Sequence, residues 1–386
     1  MLVEKLRLLN FRNHTKTELT LSPGLNIFHG LNGSGKTSVL EALAYCAFSK
    51  SFLQVPDSSL VRIGESGLYV KTEALSDSGI SYKVSLKYKP GSKKEISSTL
   101  GDNLTPRDII GELPMVVLSP DYKSITFGSP QDRRSFLDRI LSQAWRRYME
   151  DLIIVKKCLK QRNNLLSIAK KERHFDFSLI HPWTNELIKS GAAVVVRRYK
   201  FIEEFKPYFE EAYDYMSDGR ERTGLEYSPD SLEALRSDEL SLTEKIEARY
   251  RQIAIDHIDD EVRRGTTLFG PQKDELKIFV NKGIARDYAS QGQHKTLLIS
   301  MKIAEFNYLK NKKKETPVII LDDIFSELDL RRREKVLELI GRNNAQTFIT
   351  MTHAGNLKKV LPGSIEHRFF RVDSGTVSID KGGGLN

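Results

Sequence analysis

The chain has 386 residues and is 39% hydrophobic, which excludes a disordered protein and allows a packed core. No apolar stretch approaches the ~20 residues of a membrane span, and residues 1–9 carry Glu4, Lys5 and Arg7 where a signal peptide would be apolar. Net charge is +9, with only two cysteines, Cys46 and Cys158, at no metal-type spacing. Free thiols in a reducing compartment, and hence a cytoplasmic location, are expected.

In chain order, residues 2–8 alternate loosely as a strand, 10–14 turn, and 17–21 read as a hairpin partner. A short buried strand over 25–28 leads into Gly30-Leu31-Asn32-Gly33-Ser34-Gly35-Lys36-Thr37, which matches the phosphate-loop pattern G-x-x-x-x-G-K-[ST] at every fixed position. Its glycines let backbone N–H groups turn inward around a polyphosphate. Lys36 can neutralise the β- and γ-phosphates, and the Thr37 hydroxyl can bind Mg²⁺. The helix predicted over 38–45 would point its N-terminus at the phosphates. A polar connector over 49–67 follows, then strands over 69–74, 81–89, 94–100 and 115–118.

Ser129-Pro130 is a helix start. From there Leu137, Leu141, Ala144, Tyr148, Leu152, Val155 and Leu159 recur every three or four residues as one apolar seam, with Trp145 and Tyr148 read as core. Residues 131–173 hold twelve Lys and Arg against five Asp and Glu, a local net of +7. Such a segment is a candidate footprint on a phosphate backbone, or else a solvated helix face. Further helices are predicted over 182–217 and 242–264, with a polar loop over 218–241 and a short strand at 223–227. The expected organisation is an α/β ATPase head in two parts, 1–128 and 265–386, with a helical lobe inserted over 129–264.

The α/β pattern resumes with a strand at 275–280. Ser290-Gln291-Gly292-Gln293 opens a helix over 296–310, and a lysine-bearing linker covers 311–316. Val318-Ile319-Ile320-Leu321-Asp322-Asp323 is an apolar strand ending in carboxylates: Asp322 suits the Mg²⁺ shell, and Asp323 suits polarising the attacking water. Ser326-Glu327-Leu328-Asp329 leads into a helix through Leu339, and a buried strand over 345–351 ends at Thr352-His353.

Together, phosphate loop, Ser-Gln-Gly-Gln, Asp-Asp and Ser-Glu-Leu-Asp resemble the ATP-binding-cassette head of chromosome-maintenance and recombination ATPases. The RecF family of bacterial recombination mediators is the closer resemblance. It also takes in Leu9-Asn10-Phe11-Arg12-Asn13, Leu118-Ser119-Pro120-Asp121, Arg133-Arg134-Ser135-Phe136-Leu137-Asp138 and Phe269-Gly270-Pro271 through Asp274, and 386 residues leave no room for long coiled-coil arms. Departures are Gln272 where a histidine is usual, Leu53 where an arginine is common, and Gln291 in place of glycine.

The resemblance implies a DNA replication and repair protein active in recombination and the SOS response to DNA damage. It would bind single-stranded, duplex and gapped DNA, dimerise on ATP, hydrolyse it slowly as a DNA-dependent switch, and load recombinase with RecR and RecO. By the same resemblance, Ser290, Gly292 and Gln293 of one subunit would complete the partner's ATP site, with Asp329 near that interface. His353 would act as a γ-phosphate switch, and Arg12 would contact phosphate. A transporter ATPase subunit and a small-molecule kinase are the alternatives that the phosphate loop alone leaves open.

Overall fold

The computed structural model describes residues 1–172, 175–230, 239–353 and 366–380. It divides into two compact units, residues 1–123 with 301–386, and residues 124–300. The expected lobe over 129–264 falls inside the second unit, which also takes in 265–300.

The first unit is built on a six-stranded sheet in the order Thr376–Ile379, His367–Asp373, Leu25–His29, Thr347–Met351, Val318–Leu321, Met115–Leu118. All neighbours run parallel except the outer pair, which forms an antiparallel hairpin. Val318–Leu321 and Met115–Leu118 are uninterrupted apolar runs, the pattern of strands covered on both faces. Phe28 stacks on Phe370 with ring centroids 4.8 Å apart. The helix Lys36–Phe48 is buried nearly all round, since it packs against strands of this sheet and of a second, antiparallel one.

That antiparallel sheet runs His14–Thr20, Leu2–Phe11, Leu68–Leu75, Ser81–Tyr88, Glu95–Ser98. The strand Leu2–Phe11 skips register against Leu68–Leu75 between Val3 and Lys5. The buried Gln346 amide serves the backbone there, accepting from Val3 N–H at 2.7 Å and donating to Val3 O at 2.8 Å. A backbone group left bare at that depth would cost the energy of a lost hydrogen bond.

In the second unit the expected seam is two helices, Pro130–Ala144 and Arg146–Ala169, broken at Trp145, whose φ of −140° is extended. Ser129 and Asp132 form a capping box at the start of the first. Trp145 is half-buried with the Arg197 guanidinium 4.4 Å from its ring, and Tyr148 is fully buried. The long helix His181–Ser217 follows. The single helix expected over 242–264 is also two, Glu239–Asp256 and Ile258–Arg264, parted at His257. Strands Thr223–Ser228, Glu275–Val280 and Gly283–Ile284 form a small antiparallel sheet. The rest of the predicted 218–241 loop lies partly outside the described residues.

A buried ion network joins these pieces. Arg198, 2% exposed, donates to Asp138 at 2.8 Å, Asp274 at 2.9 Å, Pro271 O at 2.7 Å and the Tyr148 hydroxyl at 3.0 Å. Arg133 grips Glu275 with both arms, at 2.8 and 2.9 Å. Burial pushes the Asp274 carboxyl up, against the pull of Arg198. The Arg133-to-Asp138 and Phe269-to-Asp274 motifs thus find their use in holding the lobe together.

Candidate nucleotide-binding site

The phosphate loop bridges the strand Leu25–His29 and the helix Lys36–Phe48. Gly30, Gly33 and Gly35 take φ of 153°, 78° and 109°. A Cβ on Gly30 would lie 2.2 Å from Val372 O, while one on Gly33 would meet nothing within 4 Å. The loop is therefore tight on its inner side and open on its outer side, where Leu31 is 77% exposed. The Lys36 ammonium donates to Gly30 O and Leu31 O, each at 2.9 Å. Burial draws its pKa down, and Asp323 and Asp322 push it back up.

Asp322 follows the strand Val318–Leu321 and is buried. Thr37 donates its hydroxyl to Asp322 Oδ1 at 2.8 Å and Thr350 does so at 2.7 Å. Burial raises the Asp322 carboxyl, and the two hydroxyls pull it the other way. A carboxylate beside a threonine hydroxyl is the hard oxygen set that suits Mg²⁺. Asp323 takes a φ of 50° and its N–H donates to Thr350 Oγ1 at 2.8 Å, so one threonine ties the Asp322 carboxylate to the Asp323 backbone.

A cleft of about 570 Å³ opens beside the loop, lined by Arg12, Asn13, Gly33, Lys36 and Thr37 together with Ser59, Val61, Arg62 and Ile63. That volume lies in the range of small-molecule sites. Arg12 reaches it with a guanidinium braced on Glu41 by two 2.8 Å bonds, and donates to Ser59 O at 3.1 Å.

Sequence comparison adds its evidence here. The model of the RecF/RecN/SMC N terminal domain family matches residues 2–372. The DNA replication and repair protein RecF of Chloroherpeton thalassium is 36% identical over 362 residues, covering 92% of this chain and 96% of that protein. RecF of Prosthecochloris aestuarii is 36% identical over 372 residues, covering 96% and 99%. The chain belongs to the RecF family. A RecF recombination mediator of the RecFOR pathway solved with ATP superposes at a TM-score of 0.87, with 27% identity over 98% of this chain and 97% of that one. A solved Smc head bound to ScpA gives 0.56 at 14% identity, covering 98% and 97%, which bears on the fold alone. The fold is thus the ABC-type P-loop ATPase head of RecF and SMC proteins.

Other family motifs sit in local roles. Ser290 and Gln293 cap the helix Gln291–Lys313: Gln293 Oε1 accepts from Ser290 N–H at 2.7 Å, and Gln293 N–H donates to Ser290 Oγ at 3.2 Å. The Gln293 amide also donates to Glu221 at 2.5 Å. Asp329 caps the helix Leu330–Asn343 through Arg332 N–H. His353 is exposed just past the strand Thr347–Met351. Gln272 donates to Phe269 O at 2.6 Å, and Leu53 is half-buried. Sequence reading did not single out Ser59, Arg62, Ile63, Glu41 or Thr350. A polar connector and a lone buried threonine carry no pattern of their own; only tertiary contact gives them a use.

Proposed function

We propose that this chain is an ATP-driven switch in DNA replication and repair. The observation that carries the reading is the 2.8 Å bond between Thr37 and Asp322, which brings motifs 285 residues apart side by side in the head that carries Lys36. Lys36 and the loop N–H groups bind the phosphates, and Thr37 with Asp322 holds Mg²⁺. That ion supplies charge neutralisation on the β- and γ-oxygens. Asp323 orients and polarises the attacking water, and Arg12, braced by Glu41, adds positive charge at the cleft. Ser290, Gly292 and Gln293 of one subunit, with Asp329, complete the site of the other in an ATP-dependent homodimer, and His353 senses the γ-phosphate.

The names of the relatives support DNA as the partner; binding to single-stranded, duplex and gapped forms, with weak DNA-dependent hydrolysis, is part of the proposal. The RecFOR pathway named for the ATP-bound relative supports RecO and RecR as partners in recombinase loading. Among the described residues no helix is long and apolar enough to cross a membrane, consistent with a cytoplasmic protein. Transporter and kinase readings gain nothing from these relatives. Light scattering with and without ATP, beside DNA titrations on duplex, single-strand and gapped substrates, tests the proposal. A chain that stays monomeric in ATP and binds no DNA would sink it.

A further inference from the structure

The phosphate loop is gripped from behind by groups outside it. Asn13 Nδ2 and the N–H of Gly375 both donate to Ser34 O at 2.9 Å. The His14 ring, 0% exposed, places Nε2 3.0 Å from Gly35 O and Nδ1 3.0 Å from Thr17 Oγ1. A carbonyl can only accept, so Nε2 carries the proton and Nδ1 accepts from the threonine hydroxyl. Gly35 O also takes the first helical bond, from Val39 N–H at 3.3 Å. A Cβ on Gly35 would lie 2.8 Å from His14 Nε2, so the ring lies directly against that backbone.

The planar trans peptide gives this grip a direction. C=O and the next N–H point opposite ways across one rigid plane. Drawing Ser34 O and Gly35 O inward to Asn13, Gly375 and His14 therefore turns the N–H groups of Gly35 and Lys36 toward the ligand side. We propose that His14 is a positioning residue for nucleotide binding, fixing the Gly35–Lys36 peptide so that its N–H faces the phosphates. The assignment rests on reading Gly30 to Thr37 as the phosphate site. Arg62 is the charged group facing the ring, and burial, the largest effect, draws the imidazole pKa down.

Fluorescent N-methylanthraniloyl-ATP with Mg²⁺ is the probe. His14→Phe keeps ring volume but has no donor, whereas His14→Gln can place an amide N–H near the Nε2 position. Phenylalanine should weaken nucleotide binding about tenfold, the scale of one hydrogen bond, with kcat little changed at saturating ATP. Glutamine should stay within about twofold of the wild type. Wild-type affinity in His14→Phe, or an equal loss in His14→Gln, overturns the proposal. Should the phenylalanine variant not fold, His14→Asn replaces it: its shorter amide cannot reach Gly35 O, so affinity equal to that of glutamine is the overturning result. Lys36→Ala is the control; if it too binds as the wild type does, the phosphate-site reading fails instead.

Discussion

Lys36 satisfies its own loop carbonyls in this structure, so a nucleotide must offer its ammonium better acceptors than Gly30 O and Leu31 O. Phosphate oxygens do, because charge-assisted bonds are roughly twice as strong as neutral ones. Lys36→Ala should therefore lose ATP binding by at least ~100-fold in an equilibrium titration, and wild-type affinity would reject the phosphate-loop assignment. Asp322→Asn should weaken binding only when Mg²⁺ is present. Asp323→Asn should leave binding intact and slow single-turnover hydrolysis; equal rates would move the water-orienting role elsewhere. His14 adds a pH test. Its pKa is lowered in the fold, chiefly by burial, so below the unfolded value of ~6.5 the unfolded chain binds more protons. Stability should be level above pH ~6.5 and decline below it. In melts across that range, His14→Gln should lack this part of the decline. At this scale the phosphate loop and Asp322 were legible because their residue types repeat a fixed pattern. Thr350 and Arg62 were not, since nothing local marks a threonine that will bond one carboxylate and the next residue's N–H.

The helix break at Trp145 shows what periodicity misses. Leu141 and Tyr148 keep the apolar spacing across it, so the seam reads as continuous while the backbone is extended at Trp145. His257 parts the later helix in the same hidden way. Strand positions fared better, because buried parallel strands are short apolar runs with polar ends, as Val318–Leu321 and Met115–Leu118 are. The Arg198 network offers a stability test. Arg198→Met strands the carboxylates of Asp138 and Asp274, and Asp274 is 0% exposed. Breaking such a pair costs about 3–5 kcal/mol, to be read in urea unfolding; a loss under about 1 kcal/mol would show the network to be dispensable. The Ser290 cap allows a cleaner experiment than one variant would. Ser290→Ala and Ser290→Arg lose the same cap, worth about 1 kcal/mol, but only arginine adds bulk and charge. If the turn docks on a partner's phosphates, light scattering with ATP should show dimers for alanine and none for arginine. Dimers in both would place the turn away from the interface.

Across the whole molecule, charge was readable as a total and not as a surface. Of the +7 in residues 131–173, Arg133 and Arg162 are buried in ion pairs with Glu275 and Glu261, and Arg134 donates to Asp274 O. Arg146 and Arg147, 62% and 75% exposed, lie beside Glu150 and Asp151, while Lys156, Lys157 and Lys160 face solvent. Arg173 is outside the described residues. Neutralising Arg146, Arg147, Lys156, Lys157 and Lys160 together should flatten the slope of log affinity for duplex DNA against log salt by roughly 0.9 per lost phosphate contact. An unchanged slope would remove the segment from the DNA surface. The sheet order carries a different kind of consequence. The strand Leu25–His29, which launches the phosphate loop, lies between Thr347–Met351 and His367–Asp373, so neither neighbour exists until nearly the whole chain has been made. At typical synthesis rates of 5–20 residues per second, that strand waits on the order of half a minute on the ribosome with both edges bare. An apolar segment exposed that long is a natural client for a chaperone. A nascent chain halted before residue 367 should accordingly fail to retain ATP, however complete its motifs.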